Sequence, residues 1–306
     1  MSLQQLVAKE LAVPVHNDVT GFAAHIAAQY ADTASAVLFY GSCLRSETLD
    51  GQMLDFYLIV SSYEAAYAKP WLARWNRRLP PNVFPFQYKD LMAKVAVLSE
   101  DDFHKLNRPG ASAVSVWARF SQPSRLVWRR DDDMARKMTL SISGAAPTLL
   151  NAALSHMDRE VDIIDLWQSG FAMTYGAELR AERKSRPASV IDHDRDRYEI
   201  VGQAALHHTM IPNEIRGGRV YLVADPEKRA QKERARWPAL RRRGKMLTIA
   251  RLAKAAFTYT NGIDYLAWKI NRHAGTQIEI KAWHRKWPLI AALCLLPKLL
   301  AKGAVR

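Results

Sequence analysis

A single aspartate and a Gly-Ser pair are the residues of this chain whose types and spacing could do phosphate chemistry. The apolar run 36–40 ends at Gly41 and Ser42, and the later apolar run Met53–Val60 is interrupted only by Asp55. Glycine lets a backbone approach a phosphate group without a Cβ in the way, and a serine hydroxyl with neighbouring N–H groups can bond the phosphate oxygens. An ionised carboxylate that is buried alone is costly, and a bound Mg²⁺ would offset that cost while bridging the carboxylate to phosphate. These residues therefore predict a site for a nucleoside triphosphate and Mg²⁺.

The order strand, Gly-Ser turn, strand with an embedded aspartate is typical of a nucleotidyltransferase palm. The residues alone also allow a plainer interpretation, in which Gly41-Ser42 is an ordinary turn and Asp55 a half-exposed strand residue with satisfied hydrogen bonds. The usual superfamily pattern has a second acid two residues after the first, and here that position is Tyr57. A second metal ligand would therefore have to come from elsewhere in the chain.

The elements that must position these residues can be predicted from hydrophobic periodicity. We expect a helix over 17–31, capped by Asn17 or Asp18, and a second helix over 62–79 that starts or breaks at Pro70. Further strands are predicted at 91–98, 113–120 and 124–128. The 91–98 strand carries Lys94 among apolar neighbours, as an edge or snorkelling residue or, beside a triphosphate, as a phosphate clamp.

The second half of the chain is predicted to be mainly helical. We expect Ser99 to cap a short helix, and we interpret the acids at 131–133 as helix-capping residues rather than metal ligands. Helix is predicted from there to residue 183, followed by a polar connection over 184–198. The predicted fold class is α+β, with a mixed-sheet palm domain over 1–130, a mainly helical domain over 131–224, and a basic segment with C-terminal amphipathic membrane-associating helices over 225–306.

Composition narrows the class of protein. The chain has 306 residues, 49% of them hydrophobic, so it can bury a substantial core. Its two cysteines, Cys43 and Cys294, lack metal-site spacing, which argues against a zinc site or a disulfide scaffold and for a reducing compartment. The N-terminus does not have the pattern of a secretory signal peptide.

The net charge of +14 predicts an anionic partner: nucleic acid, nucleotide or an anionic membrane surface. Lysines and arginines are dense over 225–254, and the apolar stretch 287–296 is too short to span a bilayer. Its flanking aromatic and cationic residues fit a helix lying in an anionic membrane interface, although a helix docked on the core is the alternative. The predicted membrane-binding residues are Trp283, Trp287, Lys298 and Lys302.

Four segments, in matching order over roughly 36–182, resemble the mitochondrial-type phosphatidate cytidylyltransferases, the translocator assembly and maintenance protein family. They are YGS at 40–42 with DF at 55–56 and LIV at 58–60, LMAKVAV at 91–97, WARFSQP at 117–123, and MTYGAELR at 173–180. That family also keeps a single Asp in the strand that corresponds to 53–60. It carries a Lys in the strand that corresponds to the second segment, LMAKVAV. The chain departs from the family at Ser61-Ser62, where family members continue with acidic residues.

The resemblance implies transfer of a cytidylyl group from CTP to phosphatidate, with Mg²⁺, by a peripheral protein on the cytoplasmic side of the inner membrane. It implies that Asp55 and Lys94 are catalytic and that Asp55 and Glu178 hold the metal. The implied nucleotide-binding residues are Gly41, Ser42, Lys94, Arg119, Tyr175 and Arg180.

Two other functions remain open from the sequence. One is a nucleotidyltransferase that modifies a small molecule or a protein, which would share the palm but not need the interfacial tail. The other is a non-catalytic basic protein that binds nucleic acid, which the charge favours but which leaves the Gly-Ser and Asp arrangement unexplained. The chain contains no recognised nucleic-acid-binding motif, so we expect nucleic acid not to be the partner.

Overall fold

A computed structural model describes residues 1–45, 49, 51–157, 160–177, 190–223, 227–258, 281 and 283. The helices are α1 (Leu3–Leu11), α2 (Asn17–Ala28), α3 (Tyr63–Ala66), α4 (Pro70–Arg78), α5 (Glu100–Leu106), α6 (Ser115–Phe120), α7 (Asp132–Ile142), α8 (Ala145–Leu154), α9 (Ile163–Ala177), α10 (Arg195–Leu206) and α11 (Glu227–Thr258). The strands are β1 (Ala34–Tyr40), β2 (Met53–Val60), β3 (Asn82–Tyr88), β4 (Leu91–Ser99), β5 (Ser124–Arg129), β6 (Glu160–Asp162), β7 (Asn213–Arg216) and β8 (Arg219–Leu222).

A five-stranded mixed sheet is the centre of the first half of the chain. Its strand order is β3-β4-β2-β1-β5, in which β2 and β4 run parallel and the other neighbours run antiparallel. A small three-stranded antiparallel sheet, β6-β8-β7, accompanies the helices of the second half. The α+β fold class with a mixed sheet and a mainly helical region is therefore confirmed. The predicted C-terminal helices beyond residue 258 lie outside the described residues, and the division into three domains stays a prediction.

Both faces of the large sheet are buried, which explains why β1 and β2 are almost continuously apolar. Phe39 and Phe56 point to one face, where the Phe22 ring of α2 lies 5.5 Å from that of Phe56. Alternate residues such as Leu38 and Ile59 point to the other face, against the helices of the second half. Burial of each such side chain stabilises the fold by about 1.5–3 kcal/mol. A polar group on these strands does not contribute this stabilisation, so its presence calls for another explanation.

Local capping signals are mostly confirmed. The Ser99 hydroxyl accepts a hydrogen bond from the N–H of Asp102 at the start of α5. The Asp131 carboxylate accepts one from the N–H of Met134 at 2.8 Å at the start of α7, which confirms the capping interpretation of these acids. The expected cap of α2 was wrong, because His16 is the N-cap and Asn17 is already the first helical residue.

Three predicted elements differ from the structure. The predicted strand 113–120 is the helix α6, because every side chain of this short run except Arg119 is buried and no periodicity separates helix from strand. The helix predicted to continue to residue 183 is interrupted by strand β6. The polar connection predicted over 184–198 already contains the first turn of α10, in which Arg195 forms an ion pair with Glu199 one turn later in the helix.

The long helix α11 carries most of the basic run, and several of its arginines bind carbonyl oxygens within the protein. Arg234 Nε donates to the Ser155 carbonyl at 2.8 Å, at the end of α8, and Arg241 Nε donates to the Gly176 carbonyl at 3.2 Å, in the last turn of α9. Cations at helix C-termini are stabilising because the carbonyls there lack intrahelical donors. Among the described residues, no helix is both long and apolar enough to cross a membrane.

The N-terminal helix α1 is tied to α10 by a buried ion pair. Arg197 Nε lies 2.6 Å from the Glu10 carboxylate, and their side chains are only 12% and 16% exposed. The same carboxylate accepts a bond from the N–H of Ser124 in β5, and Arg197 donates to the Ser121 carbonyl. These bonds connect the first helix, the edge of the sheet and the helical region.

Candidate active site

A row of residues in register crosses the sheet at one end and contains the aspartate. Tyr40 is opposite both Ser124 of β5 and Asp55 of β2, and Asp55 is opposite Lys94 of β4. Directly paired residues point their side chains to the same face of a sheet. Strand pairing therefore places a phenol, a carboxylate and an ammonium group side by side.

The turn after β1 passes directly over this carboxylate. Gly41 has a φ of +96°, a conformation that L side chains rarely adopt, and a Cβ built on it would lie 3.1 Å from Asp55 Oδ2. A single 3-10 turn begins at Ser42, which is exposed. Only glycine allows this approach without strain. The plain interpretation of Gly41 as an ordinary turn residue does not account for its contact with Asp55.

Asp55 and Lys94 form an ion pair. Lys94 Nζ lies 3.0 Å from Asp55 Oδ1, and the two side chains are 31% and 22% exposed. Lys94 is not an edge residue, because β4 lies between β3 and β2. The lysine offsets part of the cost of the partly buried carboxylate.

Arg119 lies on the same side of the sheet, although on a helix rather than on the predicted strand. Its Nη1 donates to the Ser115 carbonyl at 2.6 Å, one turn earlier in α6, and its guanidinium hydrogen-bonds the side chain of Tyr40. Burial, and then the negative charge of Asp55, raise the pKa of Tyr40 well above its ordinary value. Tyr40 therefore stays protonated near neutral pH and links the arginine to the row that contains Asp55.

Tyr40 is a site residue that sequence reasoning missed. The available signal was its position as the last residue of β1, immediately before Gly41. Its pairing with Asp55 depends on strand register, which periodicity does not give. Because it is paired with Asp55 and hydrogen-bonded to Arg119, Tyr40 belongs to the candidate site together with Gly41 and Lys94.

The position of the missing second acid is filled by a buried ring. Tyr57 is 2% exposed, and its ring centroid lies 5.2 Å from the rings of both Tyr40 and Phe120. Among the described residues, no group of three His, Cys, Asp or Glu side chains could hold a metal ion. Mg²⁺ is often bound by one or two carboxylates together with the phosphates of its substrate. Asp55 beside the Gly41 turn fits an ion that is shared with a nucleotide.

The remaining predicted site residues are only partly described. Tyr175 lies in the last turns of α9, where it packs against the core with its side chain partly exposed. Glu178 and Arg180 lie outside the described residues, so their roles as metal ligand and nucleotide contact stay predictions. Of the predicted membrane-binding residues only Trp283 is described, at 43% exposure. The others, Trp287, Lys298 and Lys302, lie outside the described residues.

Comparisons with known proteins do not identify a family for this chain. No family model matches the chain, and no curated protein matches it. Among solved structures, it is similar to a nucleotidyltransferase-like protein from Exiguobacterium sibiricum 255-15, with 9% sequence identity over 93% of this chain and 92% of that chain. The TM-score of that alignment is 0.26, which is too low to carry an argument. The fold and site described above therefore rest on the strands, helices and contacts of this chain.

Proposed function

We propose that this protein is a nucleotidyltransferase that transfers the cytidylyl group of CTP to phosphatidate at an anionic membrane surface. The observation that carries nucleotidyl transfer is the turn at Gly41, which lies against Asp55 while two cations, Lys94 and Arg119, lie on the same side of the sheet. A turn without a Cβ, a carboxylate and fixed cations are the groups that a triphosphate and its charge require.

Each described residue has a distinct part in the proposed reaction. The backbone at Gly41 and the exposed Ser42 hydroxyl bind phosphate oxygens, and Lys94 and Arg119 neutralise them. Tyr40 orients Arg119 through its hydroxyl. Asp55 would hold Mg²⁺ jointly with the nucleotide, and that ion supplies charge neutralisation at the phosphate oxygens when it is bound.

The chemistry needs positioning rather than a covalent nucleophile. An oxygen of the phosphatidate phosphate attacks the α-phosphorus of CTP, the new P–O bond forms, and the bond from the α-phosphorus to the bridging oxygen of pyrophosphate breaks. The negative charge spreads over the phosphoryl oxygens in the transition state. Fixed cations that meet this charge lower the barrier, and orientation supplies much of the remaining acceleration.

The lipid acceptor has separate support from the sequence. Four segments over roughly 36–182 resemble phosphatidate cytidylyltransferases, and the net charge of +14 suits two anionic substrates. The predicted peripheral location on the cytoplasmic side of the inner membrane belongs to this part of the proposal.

Several arginines of the basic run have partners within the protein. Arg234, Arg236, Arg241 and Arg251 of the basic run all donate to carbonyl oxygens of the protein. These arginines therefore have structural roles that explain part of the charge density without a nucleic-acid partner.

The test is incubation with α-³²P-labelled CTP, Mg²⁺ and phosphatidate vesicles, followed by lipid extraction. We expect label in the lipid fraction with CTP and not with the other nucleoside triphosphates, and none with the Asp55→Asn variant. Label in a water-soluble or protein product would support nucleotidyl transfer to another acceptor and overturn the lipid part. Absence of label transfer from all four triphosphates to phosphatidate, protein and small-molecule acceptors would overturn the proposal as a whole.

A further inference from the structure

Helix α4 has an outward face made of tryptophan and arginine only. Trp71, Arg74, Trp75 and Arg78 are spaced i, i+3, i+4 and i+7, which places them on one side of the helix. The opposite side buries Ala73 and Asn76 against the protein. We refer to these four outward residues as the Trp–Arg face.

Three residues of the Trp–Arg face are exposed and Trp71 is half-buried, and the two arginines are unpaired among the described residues. Trp75 is 51% exposed, and Arg74 and Arg78 are exposed and form no ion pair or hydrogen bond with any residue that the structure describes. By contrast, Arg77 on the flank of the same helix pairs with Glu64. Unpaired arginines are not confined to α4, since Arg108, Arg242 and Arg243 are also exposed and their side chains form no ion pair or hydrogen bond with a described residue. What distinguishes the Trp–Arg face is the exposed tryptophan between its two arginines. Exposed arginines that do form ion pairs are Arg129, Arg130, Arg136, Arg195, Arg216 and Arg219. A half-exposed indole between two guanidinium groups presents apolar surface and positive charge together, which is the combination that an anionic surface with an apolar interior can bind.

We propose that the Trp–Arg face binds an anionic lipid surface. The tryptophan ring has an apolar body and a polar N–H, which suits the boundary between headgroups and acyl chains. Arginines beside it reach the lipid phosphates, and each cation near an anionic surface strengthens binding. Single-stranded nucleic acid is instead held in cationic grooves with stacked aromatic rings, whereas the face of α4 is convex.

This contact is separate from the candidate active site and does not rest on nucleotidyl transfer. Helix α4 leads into β3, whose first residue, Asn82, pairs with Val97 near the end of β4. Asp55 pairs with Lys94 towards the other end of the same strand. The Trp–Arg face therefore attaches the protein to a membrane without occupying the site, and its test is a binding measurement rather than an activity.

A fluorescent label at position 75 tests the contact directly. The Trp75→Cys variant, in a Cys294→Ser background, would carry an environment-sensitive NBD group, while Cys43 is only 4% exposed and so protected from labelling. We expect the emission to rise several-fold with phosphatidylglycerol-containing vesicles and to stay unchanged with pure phosphatidylcholine vesicles. The same label at Arg136→Cys, on the exposed side of α7, should not respond. Adding Asp55→Asn should leave the response at position 75 intact, whatever becomes of the activity.

A charge-matched pair of variants tests the arginines. Arg74→Gln with Arg78→Gln removes the unpaired cations, and Arg136→Gln with Arg195→Gln removes the same charge from exposed ion pairs elsewhere. Because each cation contributes about fivefold, the first variant should bind phosphatidylglycerol vesicles about 30-fold more weakly in sedimentation, and the second should bind nearly as well as the wild type. Equal losses in the two variants would overturn the proposal.

Two further outcomes of the label experiment would also overturn it. One is an unchanged signal at position 75 while the protein sediments with the vesicles, since the contact would then lie elsewhere. The other is a response to single-stranded RNA that is absent with vesicles, which would assign the Trp–Arg face to nucleic acid.

Discussion

Replacing Gly41 by alanine should damage the site more than it damages the fold. The φ of +96° at this residue is strained for any L side chain, at a cost of about 1–3 kcal/mol in the free energy of unfolding. The added Cβ would also lie 3.1 Å from Asp55 Oδ2, so the carboxylate or the turn must give by a few tenths of an ångström. Because a misplacement of about 1 Å at a reacting group can cost about 100-fold, this shift should cost on the order of tenfold in transfer rate.

Gly110 provides a matched control for the backbone strain. Its φ is +91°, and a Cβ added there would meet nothing within 4 Å. Gly110→Ala should therefore lose a similar free energy of unfolding, measured by denaturant titration, while keeping wild-type transfer from labelled CTP below its unfolding range. If Gly41→Ala transfers at the wild-type rate, or if both variants lose transfer equally, the proposed role of the Gly41 turn is wrong.

Three further predictions address the carboxylate, the buried ion pair and a buried lysine. Asp55→Asn should lower nucleotidyl transfer roughly a thousandfold with an unchanged thermal midpoint, and near-normal turnover would remove Asp55 from the site. Glu10→Ala should lower the free energy of unfolding by about 3–5 kcal/mol because it leaves Arg197 buried and unpaired, whereas a loss below 1 kcal/mol, as for an exposed pair, would contradict that role. Burial, and then Arg251, lower the pKa of Lys254 from 10.5 to about 7, so the unfolded chain binds its proton more tightly and stability should rise with pH above 7. The gain from pH 7 to 9 should be about 2 kcal/mol in denaturant titrations and should disappear in Lys254→Met; an unchanged pH dependence in that variant would assign the effect to other groups.

Local patterns were sufficient for the parts of the fold that are encoded in contiguous residues. The strands β1, β2, β4 and β5 and the caps at Ser99 and Asp131 follow from apolar runs and side-chain acceptors at helix starts. Gly41 and Asp55 could be expected near each other because their strands are consecutive along the chain. Lys94 could be identified as a cation in an apolar strand, but its pairing with Asp55 depends on the parallel register of β2 and β4, which no local pattern encodes.

The remaining features depend on partners that are distant in sequence. Helix α6 was predicted as a strand because nearly all of its side chains are buried, which removes the amphipathic period that separates the two structures. Strand β3 was missed because its polar residues and its proline are not typical of a strand. Its strand conformation depends on pairing with β4, which the local sequence does not encode. The arginines of α11 were predicted only as a basic run, since their carbonyl acceptors are more than one element away. Tyr40 could not be assigned to the site from the sequence because its hydrogen-bond partner, Arg119, lies on α6.

The ion pair between α1 and α10 also sets an order of events during synthesis. Glu10 and Arg197 are 187 residues apart in the chain. At a ribosomal rate of about 5–20 residues per second, roughly 10–40 s pass between the synthesis of the carboxylate and that of its partner. During that interval the contacts of α1 with β5 and α7 are available to hold it, once those elements have emerged. The attachment of the first helix to α10 is therefore a late step, and a ribosome that stalls before residue 197 leaves a nascent chain in which the Glu10 carboxylate has no arginine partner from α10.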